Sequence, residues 1–368
     1  MKKLLLCLVV LAFVACSENA HKEKAQSHAA SEANITSATH AAHGTSEAES
    51  AKSVVRAFGM HPPLTVLLEI LNPEGMIGLN YKPYPEDKDF MPPNIDSLPV
   101  LGHMGDRSAL FEAIVSLKPD VVFFGDSTPE DVLEPYQKVG IQTVRISGYS
   151  FDDLPKAIEV YKESLGGADS DVGKKADRLL AFVQKSSAKL QSLSDSITHR
   201  PTIYFAQGFD GLKSQCRNDD DTQELAYQIG GINALSCSML NNPTQQVSIN
   251  FEILASINPD VIFVRELPLF QELIQNPPQE WQILKAFENH RIYYAPSTPS
   301  NWLMRPPSVM QVLGFLWAFA KVQPELLSDE EVKVEAQHFF HTFLRDLSDE
   351  DYARIQGLRS NHATSGVE

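Results

Sequence analysis

The 368 residues are 43% hydrophobic, enough for sizeable cores and for two ordinary domains. Lys and Arg number 31 against 47 Asp and Glu, a formal net charge of −16. Such a surface repels nucleic acid and anionic lipid, so neither is expected as a partner through charge attraction, and an anionic ligand needs a local cluster of Arg or Lys.

The chain opens MKK, continues apolar from Leu4 to Ala15, and reaches Cys16. This run is too short for a hydrocarbon core of roughly 30 Å. A basic start and a small residue before the break read as an export leader over residues 1–15. The ending FVAC resembles the lipobox of bacterial lipoproteins, which implies acylation of Cys16 and anchorage on a membrane surface. Residues 16–52 are Ala, Ser, Glu, Thr and His with few large apolar side chains. They cannot offset the entropy of ordering and read as a disordered tether, in which His21, His28, His40 and His43 are solvated. Cys216 and Cys237 lie beyond it, and an oxidising compartment invites a disulfide between them. Two free buried thiols and a thiolate metal site remain open alternatives.

From residue 53 short apolar runs alternate with helical patterns. SVVRAFG reads as a strand and PPLTVLLEIL as a helix with Pro in its first turn. MIGLNY, PVLGH, VVFFG and TVRIS read as further strands. TPEDVLEPYQKVG is a helix capped by Thr128 with Pro129 first inside. This alternation predicts an α/β lobe with a mostly parallel sheet over residues 53–168. Apolar residues then fall at Val172, Ala176, Leu179, Val183, Leu190, Leu193 and Ile197, the spacing of one long amphipathic helix within a 169–199 linker. A second α/β series occupies 200–347: TIYFAQ, a helix TQELAYQIGG opened by a capping box of Asp221 and Glu224, DVIFVRE and RIYYAP. A helical region from Pro307 to about Leu347 comes next, and 348–368 reads as a tail.

One motif occurs in both series: EAIVSLKPDVVFFGD from Glu112 and EILASINPDVIFVRE from Glu252. In each copy a helix ends before PDV and a strand begins there. The helix therefore starts beside the strand's C-terminal end, the edge where open α/β sheets bind ligands. A Glu is thus expected near the rim of each lobe.

The paired E…PDV motifs, QELAYQIGGINA, the long middle helix and WQILKAFENHRIYYAP together resemble the helical-backbone class of substrate-binding proteins that serve ABC importers. The likeness covers about residues 53–345. It implies two Rossmann-like lobes joined by one long helix, a ligand cleft between them, small closure, and a monomer. The protein would have no cofactor of its own, and its cargo would be a metal chelate such as a ferric siderophore or haem. Nickel, cobalamin and molybdate are the alternatives. The partners implied are a permease dimer with its ATPase, met by Glu112 and Glu252 as docking acids, and the location is the periplasm or cell surface.

The cleft should be lined by the segments just past each strand. In the first lobe these supply Met60, His61, Tyr81, His103 and Arg107. In the second they supply Gln207, Phe209, Arg217 and Arg265. Trp302 and Arg305 stand in the segment corresponding to the family's variable ligand loop. Aromatic faces supply burial and guanidinium forks grip carboxylates or oxyanions. In a second reading His61 and His103 coordinate a metal directly. His338 and His341 share a helix face at i, i+3 and read as solvated. No G-x-S-x-G, H-E-x-x-H or P-loop occurs, so an exported enzyme lacks a motif. A sensor sharing the fold is a further rival.

Overall fold

The structure is a computed structural model. It describes residues 54–358 apart from 104–106, 149, 219–223, 241–245 and 305 and the side chains of Arg107 and Gln246. Cys16, the leader, the tether, Asp221 and Arg305 lie outside the described residues.

The first sheet carries β1 (Ala57–Gly59), β2 (Val121–Gly125) and β3 (Gln142–Ile146), all parallel in the order β1-β2-β3. MIGLNY and PVLGH are not full strands. They extend the sheet by single parallel bridges, Ala57 with Met76 and Leu79 with Val100. Pro99 has no N–H to donate, and only its carbonyl joins the ladder, accepting from the Leu79 amide. The helices of this half are α1 (Pro62–Leu71), α2 (Arg107–Ser116), α3 (Glu130–Lys138) and α4 (Leu154–Ser164). Pro129 is the N-cap of α3 rather than its first residue, and Thr128 does not cap it through its side chain.

The long helix α5 (Asp171–Ser194) is 24 residues, about 36 Å at 1.5 Å per residue. Ser170 starts it by accepting from the Gly173 amide. Its buried stripe is Ala176, Leu179, Phe182, Val183 and Leu190, the predicted period.

The second sheet orders β6 (Ile232–Asn233), β4 (Thr202–Ala206), β8 (Val261–Val264) and β9 (Ile292–Tyr294) as β6-β4-β8-β9, parallel throughout. An antiparallel pair, β5 (Lys213–Gln215) and β7 (Gln246–Ser248), stands apart from it. Its helices are α6 (Leu225–Gln228), α7 (Cys237–Leu240), α8 (Phe251–Ile257), α9 (Leu267–Gln275) and α10 (Lys285–Glu288). Of the predicted helix TQELAYQIGG, Leu225–Gln228 form α6, and Thr222 and Gln223 lie outside the described residues. Glu224 is its N-cap, but the Glu224 carboxylate accepts from Asn233 Nδ2 instead of capping.

The last helices are α11 (Gln311–Val322), α12 (Asp329–Phe343) and α13 (Asp349–Ile355). α11 packs on the second sheet, with Trp317 against Phe263 of β8, but this helical region also crosses back to the first half. Phe182 of α5 packs on Phe339 and Phe343, and Lys185 of α5 pairs with Glu335 at 2.8 Å. Phe340 meets Phe90, and the Arg354 guanidinium lies over Phe90 and pairs with Asp89 at 3.0 Å. The expected tail therefore begins with a helix that buries Tyr352 and Ile355. One continuous apolar core runs from α1 through α5 to α11 and α12, which makes hinge bending costly.

The repeated motif folds the same way twice. Both copies end their helix with a left-handed residue, Lys118 (φ 51°) and Asn258 (φ 39°). Ser116 and Ser256 each donate to the carbonyl three residues back. Asp120 accepts from the Arg56 amide at 2.7 Å and Asp260 from the Thr202 amide at 2.8 Å, each pinning the start of the neighbouring strand. Pro-Asp is thus explained by sheet construction.

Candidate functional site

A cavity of about 850 Å³ opens between the two sheets, at the C-terminal ends of their strands. That is the size of a small-ligand pocket.

From the first half, GMHPP makes a tight strand-to-helix turn. A Cβ on Gly59 would meet the Thr65 amide and Leu64, so only glycine lets the backbone pass. Asn80 Nδ2 donates to the Gly59 and Gly102 carbonyls at 2.9 and 3.1 Å. Thr65 Oγ1 bonds Gly59 and Asn80. His61 comes next as the N-cap of α1, held extended as a residue before proline is, and it lines the cavity. Burial, and secondarily the neighbouring His103, lower the pKa of His61, which favours a neutral imidazole.

Three residues from the loop after β3 complete this side: Ser150, Phe151 and Asp152. Phe151 stacks on Phe315 of α11 with centroids 4.7 Å apart. Asp152 accepts from Gln228 Nε2 of α6 at 3.0 Å, a hydrogen bond that joins the two halves at the cavity wall.

The second half supplies the ends of β4 and β8, Gln207 and Arg265. Gln207 is paired through its backbone with Lys213 and Arg265 with Ala206. Behind them Asn233 gathers a network: its Nδ2 donates to the Gln215 carbonyl and Glu224, and its carbonyl accepts from Arg217 Nε. Gln215, Glu224 and Asn233 line the cavity, whereas Arg217 stands behind them. Leu303 and Met304 form a further wall, their amides both donating to Asn301 Oδ1.

Of the residues predicted from sequence, the structure brings His61, Gln207 and Arg265 to the cavity. Met60 is corrected: it is 8% exposed and packs in the core beneath the turn, because strand alternation sends it opposite to His61. Trp302 is corrected too. It is fully buried, its Nε1 donates to the Thr298 carbonyl, and its ring faces Phe340. The two residues after it reach the cavity instead. Tyr81 and Phe209 are exposed, 55% and 85%, and do not line the cavity. Tyr81 Oη and His103 Nε2 are 2.8 Å apart, so this pair forms a unit beside His61 rather than within the cavity. The Arg107 side chain lies outside the described residues. His341 pairs with Asp346 while the His338 ring lies near Phe182, so the two share no site.

Strand ends do not point to Asp152, Gln228, Gln311 and Phe315, which also line the cavity. These residues belong to helices and a loop that only the packing brings there.

Cys216 and Cys237 are joined by a disulfide across 21 residues, next to the cavity residue Gln215. Closing a loop of that length stabilises by about 3 kcal/mol. Cys216→Ser with Cys237→Ser is therefore expected to lower the unfolding free energy by about that amount in urea titration, and added reductant should have no further effect on the variant.

Glu112 and Glu252 are both exposed, and the burial pattern of the two motif copies is the same residue by residue through Pro119 and Pro259. Glu252 lies in the first turn of α8, but Glu112 lies in the middle of α2, beyond reach of the helix N-terminus. The macrodipole thus fails to explain the repeated acid.

The Periplasmic binding protein family profile matches residues 80–299. An uncharacterized lipoprotein of Methanocaldococcus jannaschii is 26% identical over 235 residues, 61% of this chain and 57% of that one. An uncharacterized ABC transporter substrate-binding lipoprotein of Bacillus subtilis is 24% identical over 196 residues, 52% of this chain and 59% of that one. The chain thus spans under two thirds of the length of these curated relatives. Among solved structures, an ABC transporter solute binding protein from Sulfurospirillum deleyianum superposes with a TM-score of 0.67 at 24% identity, covering 83% of this chain and 94% of that one. The molybdate periplasmic binding protein of Haemophilus influenzae shares the fold at a TM-score of 0.61 and 18% identity, covering 79% and 92%. Two parallel sheets joined by a long helix, with a cavity at their strand ends and a family profile across both, place this chain in the periplasmic binding protein family.

Proposed function

We propose that the chain is the substrate-binding lipoprotein of an ABC importer. Anchored through acylated Cys16 outside the cytoplasm, it captures an iron chelate or related metal complex between its halves and delivers it to a permease dimer with its ATPase. One observation carries the docking half of this reading. Every other repeated feature of the E…PDV motif has a local structural task, while Glu112 and Glu252 project into solvent, one from each half. Two equivalent permease subunits need two such acids. Exposed ion pairs contribute only about 0–1 kcal/mol each, so the pair sets register and encounter rate.

The cavity supports a bulky polar cargo, with Phe151, Phe205 and Phe315 for burial and amide side chains for orientation. The neutral imidazole favoured at His61 also suits direct coordination of the cargo's metal, with His103 beside it.

The test is a Glu112→Lys, Glu252→Lys double variant in the native host. Uptake of iron-55 supplied as ferric chelates should fall to background, while the purified variant binds the same chelates within twofold of wild type. Uptake at the wild-type rate removes the docking role.

A further inference from the structure

Every buried residue of α11 but one lacks a side-chain acceptor. The exception is Gln311, at the first position of the helix and 7% exposed. A helix that only packs has no use for an amide there, because burying an unmatched polar group carries a cost that Leu or Met would not. Gln311 shares a helix face with Phe315, four residues on, and both line the cavity. Hydrogen bonds fix how the amide stands. Its Nε2 donates to the Leu303 carbonyl at 3.3 Å. A carbonyl can only accept, so the nitrogen is the end that faces Leu303 and the other end is the oxygen. The segment opposite is itself held, with Ser308 Oγ donating to the Asn301 carbonyl at 2.9 Å and the Leu303 amide to Asn301 Oδ1 at 3.0 Å. Gln311 Oε1 is buried and has no hydrogen-bond partner among the described residues. A buried acceptor left unpaired is costly, and one at a cavity wall marks where a ligand donor belongs.

Resting on the importer reading above, we propose that Gln311 is a specificity residue of this cavity, its Oε1 accepting a hydrogen bond from an amide N–H or hydroxyl of the cargo. The oxygen is screened from bulk water. The donor therefore seats deep against the apolar wall of Leu303, Met304 and Phe315, where the flexible Met304 side chain gives way to it. Formed out of water, such a bond discriminates sharply: a cargo of similar shape without the donor leaves Oε1 unpaired in the complex. This preference is independent of the charge of the cavity and of the cargo.

Titration calorimetry on the purified chain tests this with two pairs of neutral probes, each closely alike in shape and differing in donors. One pair is ferrioxamine E, which carries secondary amides, and the same ferric chelate N-methylated at those amides. The other is a cobyrinic heptaamide and the corresponding heptamethyl ester. The expected result is that at least one pair binds, with its donor-bearing member about tenfold tighter. Gln311→Met keeps the length of the side chain and suits an apolar helix, so the variant should fold with a Tm near that of wild type. In it the ratio should fall about tenfold, because the donor-bearing member weakens and the other does not. A wild-type ratio within twofold overturns the role of Gln311 and leaves the carrier reading intact. A ratio that Gln311→Met leaves unmoved shows that Oε1 is satisfied from within the chain, and overturns it too. Should the variant fail to fold, the wild-type ratio alone decides. If natively folded wild type binds neither pair, the chelate reading fails and this role falls with it.

Discussion

Glu69→Gln is expected to raise stability by roughly 3 kcal/mol at pH 7 and to flatten its fall with rising pH. Glu69 is buried in α1, and burial, reinforced by the nearby Asp87 carboxyl, pushes its pKa from 4.5 up to about 8. Asp87 is raised to about 6 by burial, held back by its hydrogen bond from Thr298. A carboxyl with a raised folded pKa holds its proton in the folded state and loses it in the unfolded state. Its stability is therefore fully present below pH 4.5 and is lost as pH rises to about 8, at about 1.4 kcal/mol per pH unit. The loss approaches roughly 5 kcal/mol above pH 8. An amide at this position does not titrate, so the variant would carry no such loss. Urea unfolding at pH 5, 7 and 8.5 checks this: wild type should weaken steeply across the series, and the variant should weaken only between pH 5 and about 6, where Asp87 titrates, and stay level from pH 7 to 8.5. Parallel curves would show that Glu69 does not titrate in this window.

Gly314→Ala is expected to destabilise by about 3 kcal/mol or more and to abolish ligand binding. In an open helix the same change favours the fold by about 1 kcal/mol, so the sign itself is diagnostic. Gly314 lies in the fully buried middle of α11, where an added Cβ would run into the backbone carbonyl of Trp302. A side chain can swing aside, but a backbone carbonyl moves only with its loop. That loop carries Leu303 and Met304 into the cavity. Differential scanning calorimetry with a binding titration checks both parts. A raised Tm would mean that the loop yields without loss.

The two α/β series and the long helix were legible because burial stamps a period on the letters. The α5 stripe follows 3.6-residue spacing, and β2 and β8 are continuous apolar runs because both faces are covered. The site was less legible. His61, Gln207 and Arg265 sit directly after strands, and the rule about strand ends finds them. Trp302 misled because an aromatic beside Arg305 in a loop reads as exposed, whereas α11 and α12 cover it. Gln311 and Asp152 carry no local signal, since each sits in an element whose own pattern serves packing.

The amino-acid sequence alone determined the α/β class, the doubled motif and its two acids, because helix and strand periods and the Pro-Asp turn are properties of neighbouring residues. Tertiary structure alone decided that the C-terminal helices cross back to α5 and to Asp89 and Phe90, and that amides and carboxylates from α6, α11 and the β3 loop meet in one cavity. Such contacts join residues far apart in the chain, and no local spacing encodes which distant surface a side chain will face.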